Sequence, residues 1–152
     1  MDAVATKLAS FRYRYGDADP VALAAIQQRI AEVGRLRKMI TYFNFVRNIG
    51  FQLPKINEGK PYFIQTHEWT GLDRAIIGDF LACASSKSYS RYGFMYNALV
   101  VDKTEYKPSD NWLSWLKSLD ILPDLDEETK MAYWVEQVNK AHEHYAGRRR
   151  TK

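Results

Sequence analysis

Residues 72–101, LDRAIIGDFLACASSKSYSRYGFMYNALVV, decide how the chain is read. Leu72, Ala75, Ile76, Phe80 and Ala84 recur three or four apart, which lines them on one face of a helix. Thr70 and Asp73 have the capping-box spacing, in which each side chain bonds the other's backbone N–H. Asp73 also puts negative charge in the first turn, where the helix dipole favours it. Gly78 costs the helix ~1 kcal/mol against alanine, so it is expected to admit close packing of another element. Past Ala84 the chain turns polar at Ser85, Ser86 and Ser88, and Gly93 is the stop. In FMYNALVV, Met95, Leu99 and Val101 alternate with Tyr96, Ala98 and Val100. A run apolar on both faces predicts a largely buried strand.

Upstream, residues 1–10 read as a short helix. Asp19 as N-cap and Pro20 at the first helical position start a second one. Leu23, Ile26, Ile30, Val33 and Leu36 form its stripe, and Arg29, Arg35, Arg37 and Lys38 lie off it. Residues 39–49, MITYFNFVRNI, are helical after Thr41 and break at Gly50. FQLP and PYFI, separated by KINEGK, predict a small hairpin. Downstream, Pro108 and Ser109 open a helix marked by Trp112, Trp115, Leu116 and Leu119. Asp126 caps a last helix whose stripe is Met131, Trp134, Val135, Val138, Ala141 and Tyr145, ending at Gly147. The fold expected is mainly α (α+β): a helical domain with a small antiparallel sheet and a winged-helix-like centre. The domain spans 1–147, with its centre at about 39–101 and a C-terminal helical pair at 109–146. Residues 148–152 are expected to form a disordered basic tail.

A chain of 152 residues, 46% hydrophobic and 26% charged, has the composition of an ordinary globular domain. No apolar run reaches the ~20 residues a bilayer span needs, so no membrane partner is expected. The N-terminus lacks a signal-peptide pattern, and the single Cys83 excludes an intramolecular disulfide, so a cytoplasmic location is expected. Charge is uneven. Residues 1–60 carry ten Lys/Arg against five Asp/Glu, residues 61–147 carry eight against thirteen, and RRRTK closes the chain. The front is therefore basic and the back acidic.

The chemistry-bearing residues make no strong catalytic pattern. His67, His142, His144 and Cys83 match no zinc spacing, and HEW lacks the second histidine of HExxH. No metal and no cofactor are expected. Cys83 sits in a helix interior, where a thiol is inert rather than nucleophilic. Asp102 followed by Glu105-Tyr106-Lys107 has the order of a divalent-metal nuclease motif, but Pro108 follows at once and the setting is a polar loop. In FRYRYG, Arg12 and Arg14 alternate with Tyr13 and Tyr15, a pattern that suits base stacking. Inward packing of the same rings is the favoured alternative.

The order of helix, helix and strand over residues 39–101 is that of a winged-helix module. ITYFNFV resembles the T-Y entry to the first motif helix of alkyltransferase-like proteins. Arg74-Ala75-Ile76 through Gly78 and Leu81 resembles their recognition helix with its R-A-V start, and ALVV resembles the strand behind it. The resemblance implies a DNA-binding part in which Arg74 holds the position of the arginine that enters the base stack. The reactive P-C-H-R segment is absent, so methyl transfer is not implied. Residues 50–69 are an insertion between the two helices, and Asp79 stands where that family tends to be basic.

The function expected is therefore a non-enzymatic DNA-binding module of winged-helix type. Its candidate contacts are Arg35, Arg37, Lys38, Arg47, Arg74, Lys87, Arg148, Arg149 and Arg150. The alternative is a protein-binding adaptor or inhibitor of the kind carried by phages and mobile elements, such as an anti-defence protein. It would use Trp112, Trp115, Tyr133 and Trp134 as anchors, and opposite charge halves would also suit a homodimer. A small enzyme ranks third, for want of any spacing that predicts an acid–base set.

Overall fold

The computed structural model describes residues 2–53, 55–65 and 68–150, with the backbone alone for 147–150. Among these residues the fold is mainly helical. The helices are α1 (Ala3–Ser10), α2 (Pro20–Arg35), α3 (Tyr42–Val46), α4 (Gly71–Tyr92), α5 (Asp110–Ser118) and α6 (Glu127–Arg150). Two short strands, β1 (Ile40–Thr41) and β2 (Val100–Val101), complete it.

The helix starts follow from side chains that accept orphan N–H groups. Asp2, Asp19, Thr41 and Ser109 each accept from a first-turn N–H. Asp19 also takes the Gln52 N–H at 2.6 Å, tying the head of α2 to the segment after α3. At α4 the capping box forms: Thr70 Oγ1 accepts the Asp73 N–H at 3.1 Å, and Asp73 Oδ2 accepts the Thr70 N–H at 2.9 Å. The other oxygen of Asp73 accepts from the Tyr62 hydroxyl at 2.6 Å. Gly93, at φ 86°, ends the helix in the left-handed conformation that glycine adopts without strain.

The expected stripe of α4 is only part of its buried surface. Ile76, Phe80 and Ala84 are buried, and so are Ile77, Leu81 and Cys83, whereas Ala75 is exposed. The helix also runs on through its serines, because Ser85 and Ser88 are buried acceptors rather than a polar end. Gly78 does not admit a neighbouring element: a Cβ placed there would meet nothing within 4 Å.

The strand expected over FMYNALVV shortens to Val100–Val101, and Tyr96–Leu99 forms a 3-10 turn. The cause is local competition for backbone donors. Gln137 Oε1 accepts the Met95 N–H at 2.8 Å, Ser88 Oγ the Tyr96 N–H at 3.0 Å, and Ser85 Oγ the Asn97 N–H at 2.9 Å. With its donors satisfied by side chains, the segment needs no partner strand.

The expectation of an antiparallel sheet is corrected. β1 and β2 pair in parallel, Ile40 with Val100 and Thr41 with Val101. Two helices lie between them in sequence, and a long helical crossover is what allows parallel pairing. The hairpin expected at 50–69 reduces to one antiparallel bridge, in which Phe51 and Tyr62 exchange N–H···O bonds of 2.9 Å each. Pro61 has no N–H to extend the ladder, and Asn57 and Glu58 turn away at φ 56° and 54°.

Segment 94–100 separates two apolar clusters. Phe94, Tyr96, Leu99 and Val100 pack with α2, α3, α4, Ala141 and Tyr145. Met95 and Ala98 face the other way, onto Leu8, Trp112, Leu113, Leu116 and Leu122. The last helix extends past Gly147, where the sequence pattern placed its end.

Candidate functional site

The α4 face that no element covers carries Arg74, Ala75 and Gly78, all exposed. It forms one wall of a cleft of 710 Å³, closed on the other sides by Tyr42 and Phe43 of α3 and by Trp112 and Trp115 of α5. The entry to α5 is fixed from the α3 side, where the Tyr42 hydroxyl accepts the Ser109 N–H at 2.8 Å. Burial pushes the Tyr42 phenol up to about 12, so it stays neutral. Trp69, at the approach to α4, completes the aromatic lining.

Three features give the cleft polar character. Arg74 makes no ion pair or side-chain hydrogen bond among the described residues. Asn97 is only 4% exposed and lines the cleft, and its side-chain amide has no hydrogen bond there. The buried indole N–H groups of Trp69, Trp112 and Trp115 have no hydrogen-bond partner among the described residues, whereas Trp134 donates to the Ala98 carbonyl at 2.9 Å. Lys103 lies over the Phe43 ring, 5.7 Å from its centroid. Two acidic residues line the cleft and both accept backbone N–H groups: Asp79 Oδ2 those of Tyr15 and Gly16, both at 2.7 Å, and Asp102 Oδ1 that of Thr104 at 2.9 Å.

The other basic candidates do not join Arg74. Lys87 and Arg35 line a separate groove between α2 and α4. Arg37 and Lys38 are exposed in the turn after α2, beside His142 of α6. Burial, with a smaller push from Arg37, lowers the proton affinity of His142. Arg47 is exposed at the end of α3, where Arg29 Nη1 is bonded to the carbonyls of Asn44, Phe45 and Arg47. Arg29 thus closes the C-terminal end of that helix. The side chains of Arg148, Arg149 and Arg150 lie outside what is described. None of the described candidates makes an ion pair. The front-half aspartates bond internally instead: Asp2 and Asp19 cap helices, and Asp17 accepts from the Tyr13 N–H and the Cys83 thiol.

The aromatic anchors of the alternative reading pack inward. Trp112 is buried in the second apolar cluster, and Trp115, Tyr133 and Trp134 pack half-buried against it. Tyr13 is also buried, donating to the Leu8 carbonyl at 2.7 Å, while the Arg14 guanidinium lies over the Tyr15 ring. Glu105 and Lys107 pair with each other at 3.1 Å on an exposed loop. Among the described residues no three His, Cys, Asp or Glu side chains gather to hold a metal ion; His67 lies outside them. None of the described helices is long and apolar enough to cross a membrane.

Asn97, Trp69 and Lys103 were not singled out by the sequence pattern. Asn97 carried a signal, being the single amide in the run FMYNALVV. No family model, curated protein or solved structure matches this chain.

Proposed function

We propose that the chain is a non-enzymatic DNA-binding module of winged-helix type, with α4 as its reading helix. The observation that carries this reading is Arg74. It is exposed on the first turns of a helix held by a capping box, it has no carboxylate partner among the described residues, and it lines an aromatic cleft. A free guanidinium beside aromatic rings suits both phosphate contact and stacking on bases. The unpaired cations of the front half supply the phosphate contacts that position such a module. In this reading Arg35, Arg37, Lys38, Arg47 and Lys87 add to affinity rather than to sequence choice, as do Arg148, Arg149 and Arg150.

The test is binding of labelled duplex DNA, followed by fluorescence anisotropy. Arg74→Ala is expected to weaken binding by about 1–3 kcal/mol, with the thermal midpoint unchanged. Unaltered affinity in that variant would remove α4 as the reading helix.

A second reading, a protein-binding adaptor or inhibitor, draws on a different surface. Met131 and Val135 of α6 are 49% and 45% exposed and lie among Glu127, Glu128, Glu136 and Glu143, of which Glu127 pairs with Lys130 and Glu136 with Lys140. An apolar strip with an acidic rim suits a partner with a basic rim around an apolar centre. Met131→Glu would abolish capture of such a partner and leave DNA binding intact.

A further inference from the structure

The groove between α2 and α4 has a volume of 730 Å³ and adjoins the Arg74 cleft at Phe11, which lines both. Arg35, in the last turn of α2, and Arg91, in the last turn of α4, both line it, together with Lys87. All three are exposed and make no ion pair among the described residues. The two arginines rest on one aromatic assembly. The Arg35 guanidinium lies 5.8 Å from the centre of the Tyr145 ring, and that of Arg91 lies 6.0 Å from the centre of Tyr92. Tyr92 stacks on Phe94 at 5.9 Å, and Phe94 meets Tyr145 edge-on at 6.0 Å. The hydroxyls of Tyr145 and Tyr96 are 3.1 Å apart. Burial pushes the Tyr96 hydroxyl up, and Arg35 and Arg91 both act against that rise.

The charge at this end of the groove is not balanced from within. Each helix C-terminus contributes roughly half a unit of negative charge, so two guanidinium groups leave about one positive unit uncompensated. The lining carboxylate, Asp17, is occupied by Tyr13 and by Cys83, one turn before Lys87 on α4. The groove therefore runs from a near-neutral end at Asp17 and Lys87 to a positive end at Arg35 and Arg91. An exposed arginine held beside a tyrosine ring keeps N–H groups of its fork free for a planar or tetrahedral anion. Ser90, Gln27 and Gln28 add neutral polar groups along the groove.

We infer that the Arg35–Arg91 end of this groove is a phosphate-binding site, separate from the Arg74 cleft. The phosphate belongs either to a nucleic-acid backbone or to a free phosphorylated small molecule. Its first source would deepen the DNA-binding reading for Arg35 and Lys87; the site itself does not require that reading.

The test is calorimetric titration of the full chain at low ionic strength with two probes. One is inorganic pyrophosphate, and the other is a short single-stranded oligonucleotide without terminal phosphates. At least one probe is expected to bind, with affinity at least tenfold weaker in Arg35→Gln/Arg91→Gln. Pyrophosphate binding lost in the double variant assigns the free-ligand source, and loss with the oligonucleotide alone assigns the backbone. Arg91→Lys, which keeps charge and removes the fork, is expected to fall between the two and guards against misfolding of the double variant. Absence of binding by both probes, or equal affinity in wild type and double variant, would overturn the site. Failure of Arg74-dependent duplex binding would leave it standing.

Discussion

Cys83 shows how burial decides chemistry at a single residue. Its thiol is enclosed beside Gly16, where a Cβ would lie 2.6 Å from Cys83 Cβ, and burial pushes its ionisation up to about 12. The sign of the consequence is fixed. A thiol whose folded value lies above its unfolded value contributes stability below the unfolded value of 9.0, and that contribution is lost as pH rises toward 12. Cys83→Ala is therefore expected to flatten the fall of the urea midpoint between pH 9 and 11. An equally steep fall in the variant would place the alkaline sensitivity elsewhere, with Tyr13 and Tyr42 the next groups to examine. Helical spacing made the inert thiol legible. The same periodicity missed Ser85, because a hydroxyl that accepts an N–H twelve residues away leaves no trace in a pattern of apolar positions. Ser85→Ala leaves the buried Asn97 N–H without its acceptor and is expected to cost about 1–3 kcal/mol, read from denaturant unfolding. A cost near zero would mean that the 3-10 turn finds another acceptor.

At the scale of elements, the helices were legible and the sheet was not. Asp19-Pro20, Thr70 with Asp73, and Ser109 announce their helices because capping is local chemistry. Strand pairing between residues 40 and 100 is not local: no turn residue specifies it, and its parallel sense depends on the helices between. The approach of α2 to α6 was equally hidden. A Cβ at Gly34 would lie 2.5 Å from Cε2 of the Tyr145 ring, so the two helices touch through a glycine. Gly34→Ala is expected to lower stability by about 1–3 kcal/mol through overpacking and to disturb the Tyr96–Tyr145 pair. A melting temperature equal to that of wild type would show that α6 shifts at no cost. Thr70→Ala should cost about 1 kcal/mol by loosening the first turn of α4, the turn that holds Arg74.

For the whole molecule, the organising fact is where charge is satisfied. Aspartates of the front half cap helices and receive backbone N–H groups, while Arg35, Arg37 and Arg47 are exposed and make no ion pair among the described residues. The sequence made the basic front legible as a count, but not its division. Arg74 of α4 lines a cleft against α3 and α5, whereas Lys87 of α4 and Arg35 of α2 line a groove between those two helices. The residues offered as protein anchors instead close the second apolar cluster, an outcome that helical spacing alone does not distinguish from exposure. The central claim, that the chain binds DNA through free cations, is tested most directly by the slope of log affinity against log salt for a short duplex. The account predicts a steep negative slope, roughly 0.9 for each phosphate neutralised, and a shallower one in a variant lacking Arg35, Arg37 and Lys38. A flat line, or no binding at the lowest salt, would contradict it.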